Sequence, residues 1–169
     1  MGRDRDIYGG KDPREIPVYS IPEVAGYLNL PEATVRSWVA GRKYQTADGT
    51  RTFKPVIRAA DPRTKTLSFQ NLTEIHVLSV LRSDRVRLKD IRRAIADLRL
   101  HYGTDHPLAD LDVQTDGVEV FVEQFGMLIS ASRYGQRSIK EVVEMYLKRI
   151  DRDKAKAAVC LYPFTRPQI

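Results

Sequence analysis

Residues 20–41, SIPEVAGYLNLPEATVRSWVAG, constrain the fold more than any other stretch of this chain. Apolar residues recur there at helical spacing in two short runs, so the stretch predicts two helices joined by a tight turn. Ser20 and Glu23 have the spacing of a capping box, and Pro22 falls in the first turn, where its missing N–H costs nothing. Val24, Ala25 and Leu28 make one apolar stripe, and Asn29 ends the helix because it tolerates the left-handed conformation. Pro31 opens the second helix, with Val35, Trp38 and Val39 facing inward and Glu32, Ala33, Arg36 and Ser37 facing out. Gly41 stops that helix, and Arg42 and Lys43 follow at once.

A helix with an apolar back, a polar front and cations at its exit suits a groove walled by phosphates. The same helix pair also serves as a plain packing unit, so the charge distribution has to decide. From Glu32 to Lys65 eight Lys or Arg stand against three acids, and from Arg82 to Arg99 seven stand against three. From His101 to Ser132 there are six acids and no Lys or Arg. The basic side of a chain with net charge +6 therefore coincides with the helix pair, and the acidic side implies a second surface with another task.

Further elements follow from periodicity and turn chemistry. Residues 44–69 read as a basic β-hairpin, a wing, with Asp48-Gly49 as a loop before it. Phe53, Val56 and Ile57 would lie on one strand, Asp61-Pro62-Arg63 at the turn, and Leu67 and Phe69 on the return. Asn71 and Glu74 have capping-box spacing before a helix to about Arg82, and Leu88, Ile91, Ile95 and Leu98 mark another that ends near Gly103. Alternation around Thr115-Asp116-Gly117 predicts a small antiparallel sheet over about 112–132. The last helix starts at Ser138 and carries Ile139, Val142, Val143, Tyr146, Leu147 and Ile150 on a broad stripe, which suits packing and a shared dimer seam. The expected organisation is a flexible arm at 1–17, a winged helix-turn-helix domain at 18–103, an α+β dimerisation or interaction region at 104–158 and a partner-binding tail at 159–169. The class is α+β, mainly α with small β.

Composition excludes several alternatives. No apolar run has transmembrane length, and the charged, Gly-rich start, MGRDRDIYGGKDPRE, lacks a signal-peptide pattern. One cysteine, Cys160, rules out an internal disulfide framework and fits a reducing cytoplasm. His76, His101 and His106 show no metal spacing, and the last two read as loop decoration. No phosphate-binding loop, dinucleotide fingerprint or nucleophile elbow is present. Asp105, Asp110, Asp112, Asp116, Glu119 and Glu123 are acids of the kind a Mg²⁺-dependent nuclease uses, but four fall in loop or turn context, where carboxylates are ordinarily just solvated. The expectation is a non-enzyme with no catalytic residues, cofactor or metal.

Helix, turn, reading helix, wing and two more helices, in that order, resemble the MerR-type winged helix-turn-helix over residues 18–100. SIPEVAGYLNLPEATVRSWVAG looks like that family's first two helices, and LSFQNLTEIHVLSVLR with VRLKDIRRAIADL looks like its wing exit and next two. Thr34 and Arg36 stand where the family has a Thr and an Arg on the reading helix, whereas Ala33 replaces a usual cation and Ser37-Trp38 an aromatic pair. The remainder, with RSIKEVVEMYLKRI and YPF, is unlike MerR effector domains; the whole chain resembles VapB-type antitoxins of toxin–antitoxin operons, and leaves open whether the chain is a fragment.

That resemblance implies a homodimer that binds double-stranded DNA, represses its own operon and neutralises a PIN-type ribonuclease toxin, without a membrane partner. Arg36 would read a guanine edge, with Glu32, Thr34 and Ser37 beside it, and Arg42, Lys43, Arg51, Lys54, Arg63 and Lys65 on phosphates. Tyr162, Phe164 and Arg166 in the tail are the candidates for the toxin. The alternatives are a MerR-like regulator without a toxin and a non-catalytic protein–protein module.

Overall fold

The computed structural model describes residues 9–83, 87–109, 150–152 and 158–161. After a 3₁₀ turn at Pro13–Glu15 the elements are α1 (Ile21–Leu28), α2 (Glu32–Ala40), β1 (Arg42–Thr46), β2 (Gly49–Phe53), α3 (Phe69–Ser83), α4 (Leu88–Tyr102), β3 (Ile150–Arg152) and β4 (Ala158–Leu161). β1 pairs with β2 and β3 with β4, both antiparallel. The fold is mixed α+β, with a helix-turn-helix at its N-terminal end.

α1 begins as its residues dictate. The Glu23 carboxylate accepts the Ser20 N–H at 2.7 Å while the Ser20 hydroxyl accepts the Glu23 N–H at 3.4 Å. The N–H of Ser20 on the Glu23 carboxylate is the chief reason that this acid sits below its ordinary pKa. Asn29 takes the left-handed conformation, φ 52° and ψ 47°, and turns the chain into α2. Pro31 flanks that helix and does not open it: its carbonyl accepts the N–H groups of Thr34 and Val35, and helical residues begin at Glu32.

Val24, Val35, Trp38 and Val39 from the helix pair are buried with Ile57, Leu67, Ile75, Leu78, Leu81, Ile91 and Leu98 in one core. Burying a side chain of this size contributes about 1.5–3 kcal/mol before the entropy of ordering it. α3 lies in the middle of this core, which is why every residue from Asn71 to Leu78 is buried. Leu161, in β4, packs against it from the other end of the chain.

The hairpin is shorter and earlier than the apolar pattern predicts. β1 and β2 span residues 42–53, with Thr46 opposite Gly49, so Ala47-Asp48 is the turn itself and not a loop before it. Gly49 has φ 114°, which closes the turn without a Cβ penalty. Val56 and Ile57 are not strand residues: both donate their N–H to the Trp38 carbonyl, at 2.7 and 3.0 Å, and their side chains fill the core beneath α2. Arg63 and Lys65 stand on a separate turn, closed by a bridge between Asp61 and Thr66, with Lys65 at φ 61°. Leu67 pairs with Tyr19 instead of with the hairpin. Buried apolar residues in an irregular segment mimic a strand; a strand exposed on both faces carries no apolar alternation to detect.

Three smaller expectations are corrected. The capping box of α3 joins Ser68 to Asn71, whose N–H groups each reach the other's side chain at 3.2 Å; Asn71 and Glu74 both lie inside the helix. Ile150, expected on the last helix, is in β3 opposite Leu161. His106 is not loop decoration but a partner of buried Glu74. α4 does end where expected, with Gly103 in the left-handed region at φ 64°. The sheet expected over 112–132, the helix from 138 as far as residue 149, and the tail residues Tyr162, Phe164 and Arg166 lie outside the described residues.

Candidate nucleic-acid interface

α2 presents the face its sequence implies. Val35, Trp38 and Val39 are buried, Glu32, Ala33 and Arg36 are exposed, and Thr34 and Ser37 are half-buried between them. Arg36 forms an ion pair with Glu32 one turn earlier, which aligns its guanidinium along the exposed front. The Ser37 hydroxyl donates to the Thr34 carbonyl at 2.9 Å, so its proton is turned back to the helix and its lone pairs remain.

The end of α2 is fixed by close approach. Gly41, at φ 73°, donates its N–H to the Ser37 carbonyl, and a Cβ there would lie 2.4 Å from the Phe53 carbonyl oxygen. Only glycine lets β1 leave the helix so near to β2.

The register of the hairpin sorts its cations. Arg42 faces Phe53 and Tyr44 faces Arg51 on one side; Lys43 faces Thr52 and Gln45 faces Thr50 on the other. Arg51 also stands 3.4 Å from Asp48 across the turn. Arg42, Lys43 and Arg51 therefore share the hairpin but not a face. Lys54 follows directly after β2 and is exposed. Arg63 and Lys65, on their own turn, are not brought together with them by this hairpin.

Sequence reasoning missed the link between the hairpin and α4. The Arg92 guanidinium carbon lies 4.3 Å from the Phe53 ring centroid, Arg42 lies at 5.9 Å, and Arg92 Nη2 donates to the Lys54 carbonyl. Partial burial lowers the pKa of Arg92, though a guanidinium stays charged. Helical periodicity leaves Arg92 off the apolar stripe and carries no signal for a contact 38 residues away. Among the described residues no cluster of three His, Cys, Asp or Glu side chains suits a metal, and no helix is long and apolar enough to cross a membrane.

Two short helices, a left-handed Asn turn, an exposed polar face on the second helix and a cationic hairpin define the N-terminal unit as a helix-turn-helix domain. Residues 17–95 match the model of a family described as "Putative DNA-binding HTH domain". Over 152 residues the chain is 32% identical to the "Putative antitoxin VapB45" of Mycobacterium tuberculosis (strain ATCC 25618 / H37Rv), covering 80% of this chain and 63% of that protein. It thus spans less than two thirds of that relative's length. The X-ray crystal structure of Rv2018 from Mycobacterium tuberculosis is similar with a TM-score of 0.55 and 26% identity, over 85% of this chain and 67% of that one.

Proposed function

We propose that the chain is a DNA-binding antitoxin of a type II toxin–antitoxin system, not an enzyme, acting in the cytoplasm as a homodimer. Its helix-turn-helix is of the MerR-like winged kind. The observation that carries the reading is the continuity of α2 with β1. An exposed polar helix face runs through one glycine into a ribbon bearing Arg42, Lys43 and Arg51, all exposed. The similarity to a protein described as an antitoxin supports the second half of the reading.

In the complex α2 enters the major groove. Arg36 donates to a guanine edge, with Glu32, Thr34 and Ser37 beside it, and the hairpin and Lys54 meet the backbone. The two hairpin faces suit two sides of a narrow groove: Arg42 and Arg51 toward one phosphate line, Lys43 toward the other. Arg63 and Lys65 contact phosphate from their separate turn. A dimer would place two such units on an inverted repeat with half-sites about 34 Å apart or a multiple of that. The toxin is a PIN-type ribonuclease, and Tyr162, Phe164 and Arg166 are the tail residues proposed to engage it.

Titration of the protein against the duplex upstream of its own reading frame, at several salt concentrations, tests the DNA half. Specific binding with a salt slope that falls by about two units in Lys43→Ala plus Arg51→Ala is expected. Indifference to duplex DNA at low salt overturns it. Co-purification with the product of the neighbouring gene, and loss of that partner's ribonuclease activity in the complex, tests the antitoxin half.

A further inference from the structure

The β1–β2 hairpin lacks the means to hold itself in place. Its residues are exposed on both faces apart from Thr46 and Phe53, which are half-buried. A lone two-stranded ribbon is marginally stable in water. Its base is attached to α2 twice, through Gly41 before β1 and through Val56 and Ile57 after β2, whose N–H groups bond the Trp38 carbonyl. Both attachments lie at the base and on the same helix, so neither fixes the ribbon against the rest of the domain.

α4 supplies a further attachment, from a different element. Arg92 stacks its guanidinium on the Phe53 ring at 4.3 Å and donates to the carbonyl of the next residue, Lys54. Two adjacent residues are held by one planar group, one through its ring and one through its backbone. No carboxylate among the described residues pairs with Arg92. A guanidinium suits this task because it can stack flat and donate in its own plane at once, which an ammonium cannot.

We propose that Arg92 is a positioning residue that fixes the angle of the β1–β2 hairpin relative to α2, so that hairpin and reading helix meet a duplex together. The fixing belongs to the free protein; its effect on the duplex rests on the function proposed above.

Hydrogen exchange in the unliganded protein and salt-dependent binding to the upstream duplex test it on Arg92→Ala, Arg92→Lys and Phe53→Leu. Arg92→Ala should speed exchange at the amides of residues 42–53 by about tenfold, the size of one lost stacking contact and hydrogen bond, and Arg92→Lys and Phe53→Leu, which lose the stack, by about threefold or more, with α1 amides unchanged in all three. Duplex affinity should fall about tenfold in each, with a smaller salt slope, because ribbon cations no longer stay in register with phosphates. Unchanged exchange in Arg92→Ala overturns the proposal. So does full recovery by Arg92→Lys, which would make the charge and not the stacked plane the active feature. Faster exchange with unaltered affinity for a duplex that the unmutated protein binds also overturns it. If the unmutated protein binds no duplex, the functional reading falls, and exchange alone decides whether Arg92 holds the hairpin.

Discussion

His106 Nδ1 lies 3.0 Å from Glu74 Oε2, and the Glu74 side chain is only 2% exposed. The two residues are 32 apart in sequence, so their contact closes the segment after α4 onto the middle of α3. Burial is the largest single influence on His106 and opposes its charge. The hydrogen bond and charge of Glu74, with Glu15 and Asp105 nearby, outweigh it together and raise the pKa above the ordinary 6.5. A raised folded-state pKa means that folding takes up a proton. The resulting stability is fully present below about pH 6.5 and is lost as pH rises through the folded value. His106→Gln should therefore cost about 1–3 kcal/mol near pH 6 and less near pH 8.5. Urea unfolding at both pH values checks this; an equal cost at both would exclude the charged pair.

Asn71 joins three segments from a fully buried position. Its Oδ1 accepts the N–H groups of Ala60 at 2.9 Å and Ser68 at 3.2 Å; its Nδ2 donates to the Arg58 carbonyl at 2.9 Å and to Glu74 at 3.2 Å. Asn71→Ala should destabilise by about 2–3 kcal/mol, since several buried groups lose partners at once. Asn71→Asp should be worse, because it removes both donors and sets a second carboxylate beside Glu74. The order of melting temperatures, unmutated above Ala above Asp, is the check.

The sequence made the helix pair legible because each of its signals is local. Ser20 with Glu23, Asn29, Gly41 and the stripes of Val24 and Val35 act within a turn or two. α4 was equally plain, from Leu88 to Gly103. The apolar pattern points past the hairpin because its strands are exposed on both faces, while Val56 and Ile57 supply apolar residues in a segment that answers to the Trp38 carbonyl. The exposed front of α2 was legible for the same reason as its buried back. Arg92, Asn71 and His106 were not, because each gains its role from a residue on another element, and no local pattern encodes such a pairing.

Gly41 allows a test of how the helix end sets the ribbon. Gly41→Ala places a Cβ against the Phe53 carbonyl oxygen at 2.4 Å, on a backbone at φ 73° that L-residues rarely adopt. That oxygen is backbone and not the end of a flexible side chain, so the ribbon must move. A loss of about 1–3 kcal/mol is expected. Amide chemical shifts should change along residues 42–53 and stay fixed in α1. Shifts confined to residues 40–42 would show that the ribbon absorbs the strain locally.

Arg36 and Glu32 allow the proposed recognition to be separated from stability. Their side chains are 57% and 47% exposed, and the pair is an i, i+4 contact on one helix. Breaking it should change the unfolding free energy by no more than about 0.5 kcal/mol in Glu32→Ala. On DNA the two substitutions should diverge. Arg36→Ala removes a bidentate donor and should lower specific affinity by about 1–3 kcal/mol, with relaxed preference at one base pair. Glu32→Ala removes a negative charge from the surface proposed to face phosphates, and it also releases Arg36 from its alignment. Non-specific affinity should therefore rise while discrimination between the operator and scrambled duplex falls. Competition binding against a panel of single-base-pair operator variants reads both effects. If Arg36→Ala weakens every variant equally, Arg36 holds a phosphate and base reading lies elsewhere on α2.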